Sequence, residues 1–99
     1  MQNNFEDITK AVSLLKTIAN EKRLLILCRL NDGKELSVSD LAEFVGLSQS
    51  ALSQHLAIMR GYGFVKTRRE QHTIYYSLAN DAVKDIIQTL HKNYCSCSK

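Results

Sequence analysis

Apolar residues recur along the start of the chain at the spacing of a helix. Between Phe5 and Ala19 they fall at Ile8, Ala11, Val12, Leu15, Ile18 and Ala19, which places them on one face of a first helix. Asn20 suits the cap of a second helix, with Glu21 favourable in its first turn. The body of that helix, "RLLILCRL", is apolar nearly all round, so it is predicted to be the buried central helix. "NDGK", from Asn31 to Lys34, stops it. Ser37 with Asp40 three residues later reads as a capping box for a third helix, whose stripe is Val38, Leu41, Ala42 and Val45. Gly46 ends it. After the turn Gly46-Leu47-Ser48, Ser48 caps a fourth helix with a stripe of Leu52, His55 or Leu56, and Met59, stopped by Gly61 and Gly63. Two short helices joined by a tight glycine-containing turn form a helix-turn-helix.

The period then changes to two. In "FVKTRREQHTIYYSL", Val65, Thr67 and Arg69 alternate with Lys66 and Arg68, and Ile74, Tyr76 and Leu78 alternate with Thr73, Tyr75 and Ser77. β-Branched and aromatic residues dominate the second arm, as a strand prefers. The pattern predicts a β-hairpin with its tip at Glu70-Gln71-His72. Asn80 or Asp81 caps a last helix that carries Val83, Ile86, Ile87, Leu90 and Tyr94 on one face. The expected fold is therefore mainly α with a small β-hairpin. It is a single winged helix-turn-helix domain over residues 1–99, with five helices and the wing between the fourth and fifth.

Charge sharpens this picture. The net charge is only +3, but the stretch from Phe44 to Arg69 holds no Asp or Glu while carrying Arg60, Lys66, Arg68 and Arg69; the rest of the chain sums to −1. A basic zone in a near-neutral chain points to a polyanionic partner, against the plainer reading of a solvated basic face. The outward face of the fourth helix is Gln49, Ser50, Ser53, Gln54 and Ala57, ending at Arg60. Ordinary solvated helix faces are filled with Glu and Lys. Short neutral hydrogen-bonding side chains instead suit base edges in a major groove. The helix start at Ser48 presents backbone N–H groups to a phosphate. Lys66, Arg68 and Arg69 on the wing, with Gln71 and His72 at its tip, are assigned to flanking DNA. His55, at the edge of the stripe, has two readings: a partly buried, hydrogen-bonded residue or a further DNA contact.

Other classes fit less well. The first thirty residues hold no long apolar run beyond "LLILC", so neither a secretory leader nor a membrane span is expected, and the protein is expected in the cytoplasm. No phosphate loop, nucleophile motif or paired catalytic carboxylates are found, so no enzyme and no cofactor are expected. In a reducing compartment the three cysteines, Cys28, Cys95 and Cys97, are inert, metal-binding or redox-active.

"NEKRLLIL", "ELSVSDLA", "LSQSALSQHLAIMR" and "GFVKTRREQHTIYYSL" together resemble the ArsR/SmtB family of bacterial repressors across almost the whole chain. The resemblance implies a homodimer packed through its first and last helices, bound to a double-stranded operator that is an inverted repeat. Many members bind metal through a third-helix motif like E-L-C-V-C-D-L. Here that stretch is "ELSVSDL", and Ser37 and Ser39 stand where the thiolates would be. Hydroxyls are poor ligands for soft metals. The last helix offers Asp81, Asp85 and His91 without the family's second metal spacing, so no metal site is assigned. A Cys in the second helix and one ending the last is similar to the thiol-sensing branch, the BigR/SqrR-like persulfide sensors and the HlyU-like regulators. That similarity implies that Cys28 and Cys95 form a redox-sensing pair, linked by persulfide, polysulfide or oxidation, with reactive sulfur as inducer. Two alternatives stay open: a metal-responsive repressor using His91, Cys95 and Cys97, and a regulator that senses nothing.

Overall fold

Helix ends in this protein are set by side-chain caps. The computed structural model describes residues 5–94, in which α1 spans Phe5–Ile18 and α2 spans Glu21–Arg29. Asn20 Oδ1 accepts the Arg23 N–H at 3.1 Å and so satisfies one of the orphan donors at the start of α2. Past its end, Asp32 and Gly33 adopt left-handed φ values of 68° and 71°, which turns the chain away. Helix α3 spans Val38–Val45, with Ser37 Oγ accepting from Asp40 N at 3.2 Å. At its other end Gly46, at φ 73°, bonds back to the Ala42 carbonyl over 2.9 Å, a left-handed cap that a Cβ would strain. Helix α4 spans Gln49–Gly61, and Ser48 Oγ accepts from Ala51 N at 3.1 Å. Of the two candidate caps of α5, Asp81–Tyr94, it is Asn80 that serves, accepting from Val83 N at 3.0 Å.

Strand β2 (Val65–Glu70) and strand β3 (Thr73–Leu78) form the expected hairpin, pairing Val65 with Leu78 at its base and Glu70 with Thr73 at its tip. The turn is thus Gln71-His72 alone, not Glu70 to His72, and Gln71 takes a left-handed φ of 57°. A two-residue hairpin turn needs positive φ at its first central position to match the twist of the strands, and here Gln71 supplies it without glycine. A two-residue strand that the pattern did not suggest, β1 (Leu36–Ser37), pairs antiparallel with β3 and gives the order β1-β3-β2.

The core gathers one stripe from each helix. Ile26, Leu27 and Leu30 share one buried cluster with Leu41 and Val45 of α3 and with Leu52, Leu56 and Met59 of α4. Phe64, Val65 and Leu78 close the sheet side, and Val83 and Ile87 of α5 are fully buried. Each such side chain contributes about 1.5–3 kcal/mol over an exposed one. Helix α2 is central, as its apolar body predicts.

Two expectations change. The apolar face of α5 was expected to meet a partner as a whole, but Val83 and Ile87 pack inside the chain's own core; Ile86 and Leu90 are half-buried and Tyr94 is exposed. Helix α1 shows the reverse. Its face Phe5, Ile8, Val12 and Leu15 is exposed, and it joins the domain through Leu14, Thr17 and Ile18 near its end. Strict alternation in β3 also fails: Ile74 is exposed beyond the edge of the core, whereas Ser77 is buried.

Candidate nucleic-acid interface

The outward face of α4 is as the sequence predicts. Gln49, Ser50, Ser53, Gln54, Ala57 and Arg60 are all exposed, and no carboxylate lies among them. The face is fixed from behind by the buried stripe Leu52, Leu56 and Met59, so the rotation of the helix follows from the spacing of three apolar residues. Ser48, at the cap, is exposed but has its Oγ engaged with Ala51 N. Gln49 Nε2 donates to Ser39 Oγ at 3.2 Å, which ties the first turn of α4 to α3. Ser39 is one of the two serines standing where soft-metal thiolates would be, and its hydroxyl serves this contact.

His55 points inward rather than to the open face. It is half-buried, and its Nδ1 accepts a hydrogen bond from Arg23 Nε at 3.1 Å. Arg23 also donates to the Thr17 carbonyl at 3.0 Å. One guanidinium on α2 therefore holds the end of α1 and the middle of α4. Burial first, and the Arg23 charge second, hold the His55 imidazole below its ordinary value of 6.5. A neutral ring with Nδ1 accepting carries its proton on Nε2. Lys22 Nζ makes a similar cross-link, donating to the Val45 carbonyl at the end of α3 over 2.9 Å. Neither Arg23 nor Lys22 stood out in the sequence, since both sit within a helix read only for its apolar residues.

The wing divides its cations. Arg68 Nε lies 3.1 and 3.0 Å from the two carboxylate oxygens of Glu35, and its second nitrogen meets Glu70 at 2.9 Å. The guanidinium also sits over the Tyr75 ring, 5.0 Å from its centre. Arg68 holds the Glu35 carboxyl below its usual range, and Glu35 and Glu70 in turn push the Arg68 pKa further up. A fork held between two carboxylates and a ring is a structural group first. Lys66, Arg69 and Arg60 form no ion pair among the described residues, and Arg69 Nε reaches only the Gln71 carbonyl, at 3.4 Å. Gln71 and His72 are exposed at the turn. Among the described residues Arg60, Lys66 and Arg69 thus keep charges without an ion pair, whereas Arg68 is held by Glu35 and Glu70.

Cys28 is half-buried on α2 and packs against the core. Helix α2 packs against α5. Cys95 and Cys97 lie outside the described residues. Arg29, next to Cys28 in sequence, turns to the Phe44 ring at 4.5 Å. Among the described residues no group of three or more His, Cys, Asp or Glu side chains is arranged to hold a metal ion. No helix there is long and apolar enough to cross a membrane.

Comparison with known proteins agrees with this surface. Residues 20–67, from the cap of α2 into the wing, match the model of the bacterial regulatory proteins of the arsR family. The chain is 50% identical over 99 residues to the transcriptional activator HlyU of Vibrio cholerae, covering all of this chain and 91% of that protein. It is 40% identical over 88 residues to the biofilm growth-associated repressor of Agrobacterium fabrum, covering 89% and 74%. The solved structure of reduced HlyU from Vibrio cholerae superimposes with a TM-score of 0.87 at 53% identity, over 92% of this chain and 95% of that one.

Proposed function

The chain belongs to the ArsR family of bacterial regulatory proteins, and from that premise we propose that it is a homodimeric repressor released from DNA when Cys28 and Cys95 become linked. The observation that carries the DNA-binding part is the acid-free Ser/Gln face of α4 beside a wing whose Lys66 and Arg69 form no ion pair among the described residues. Gln49, Ser50, Ser53 and Gln54 read base edges, and Arg60, Lys66 and Arg69 neutralise phosphates. The exposed stripe Phe5, Ile8, Val12 and Leu15, with Tyr94 and the half-buried Leu90 on α5, supports a partner of the same kind packed through the first and last helices. A two-fold dimer then meets an inverted repeat, with half-sites roughly 34 Å apart.

The switch rests on Cys28 being carried by α2, which packs on α5, the helix that Cys95 follows directly after Tyr94. An organic persulfide passes its outer sulfur to one cysteine thiolate, giving a protein persulfide and the donor's thiol. The second thiolate attacks the inner sulfur, closing a disulfide and expelling hydrosulfide. Tying α2 to the end of α5 shifts the dimer helix and with it the separation of the two α4 helices. Tenfold weaker binding needs only ~1.4 kcal/mol.

Fluorescence anisotropy on an inverted-repeat duplex tests this. Reduced protein is expected to bind, organic persulfide to release it, and reductant to restore it. Cys28→Ser and Cys95→Ser are each expected to bind without responding, and Cys97→Ser to respond as the parent does. A Cys28→Ser protein that still leaves DNA on persulfide treatment overturns the pairing. Release by zinc or copper(I), abolished by His91→Ala and Cys97→Ser, would replace it with metal sensing.

A further inference from the structure

A cleft of about 370 Å³ opens between the α2–α3 loop, the base of the hairpin and α5. Its lining includes Asn31, Asp32, Lys66, Ser77, Lys84 and Gln88, and the carboxylate of Glu35 at one edge. Two of these are unusual. Asn31 is 8% exposed and Ser77 9%, yet among the described residues neither side chain has a hydrogen-bond partner. Among the described residues no fully buried side-chain oxygen or nitrogen lacks a partner, so the polar atoms of Asn31 and Ser77 keep some exposure, and both residues line the cleft. Polar groups buried this deeply are normally satisfied. Ser77 is also the residue that breaks the alternation of β3: a small hydroxyl is buried where the strand meets this cleft. Among the described residues Lys66 forms no ion pair, and Lys84 reaches only the exposed Asp81, at 3.9 Å.

We propose that this cleft binds a small carboxylic acid that carries a neighbouring hydroxyl or ammonium group, that is, an α-hydroxy or α-amino acid. The carboxylate accepts from Lys66 and Lys84, and from Ser77 Oγ and the Asn31 amide. The adjacent donor faces Asp32, which forms no ion pair among the described residues. Glu35 is already held by Arg68 and contributes no further demand. The Asp32 carboxylate at the rim disfavours a phosphate dianion, which would gain from the lysines but offers Asp32 no donor. The volume sits at the small end of ligand pockets, which suits a metabolite of a few heavy atoms. Because the lining joins the base of the wing to α5, such a ligand would touch both the DNA-binding and the partner-facing elements.

The test is amide NMR of the full chain titrated with L-lactate, L-malate, L-serine and L-glutamate, with acetate and inorganic phosphate alongside. At least one of the four acids is expected to give saturable shifts at Asn31, Ser77 and Lys84 in the millimolar range or tighter, with acetate and phosphate much weaker. Lys84→Ala and Ser77→Val are each expected to raise the Kd about tenfold, or ~1.4 kcal/mol. Lys84 is exposed, so its substitution decides the matter even where the strand variant fails to fold. The site is refuted if none of the four acids gives a saturable shift, or if Lys84→Ala leaves the shifts unchanged. An equal response to acetate or phosphate overturns the ligand class. None of these outcomes depends on DNA binding or on the cysteines.

Discussion

The roles proposed for Gln54 and Arg69 differ, so their removal has different signatures. Gln54 is exposed at the centre of the α4 face. Gln54→Ala is expected to cost about 1–3 kcal/mol on operator and little on random sequence, measured by anisotropy on both duplexes. Arg69→Ala should weaken both equally and lower the salt slope by roughly one phosphate contact. Arg68→Ala should change that slope less, because its charge is already matched by Glu35 and Glu70. Counting charge along the chain put Arg68 in an acid-free zone. Glu35 reaches it from 33 positions away, and no one-dimensional count sees that. His55 supplies a pH test. Its folded-state pKa lies below the ordinary 6.5, so above that pH both states hold the neutral ring and it adds no pH dependence. As the pH falls below 6.5, the unfolded chain takes up the proton first and stability declines until the folded pKa is passed. His55→Gln, which keeps an acceptor for Arg23, should flatten that decline in urea midpoints measured from neutral pH downward.

Helices were legible because their signals are local. Asn20, Ser37, Ser48 and Asn80 each cap within three residues; the sequence names the first three directly and leaves Asn80 beside Asp81. Strand β1 was not legible, since two residues carry no period and exist as a strand only because β3 lies beside them. The face of α5 was half legible. Periodicity identified Val83, Ile86, Ile87 and Leu90 as one stripe but could not say which of them the chain's own core would take. Opposite expectations follow for the two terminal helices. Ile87→Ala opens a cavity in a fully buried position and should cost about 2–5 kcal/mol in chemical unfolding. Val12→Asp alters a position that is 43% exposed in the single chain. It should leave the fold intact while shifting sedimentation from dimer to monomer. A wild-type protein that sediments as a monomer at micromolar concentration would remove the basis for this.

At the scale of the whole molecule, the proposed DNA contacts lie on α4 and the wing, and the proposed partner contacts on α1 and α5. A Val12→Asp monomer should therefore bind a single half-site as a wild-type protomer does and lose the gain from an inverted repeat. The order β1-β3-β2 has one more consequence. Among the described residues it leaves β2, a full six residues, as an open edge whose outward backbone groups have no strand to pair with. Such an edge invites other chains to add on and seed aggregates. β2 reads VKTRRE, and its lysine and arginines repel an identical strand laid alongside. The cations of the wing thus act as gatekeepers against self-assembly, apart from the DNA contacts proposed for them. A variant that exchanges Lys66 and Arg69 for threonine to abolish DNA binding should lose solubility on storage faster than one silenced through Gln54 and Ser53.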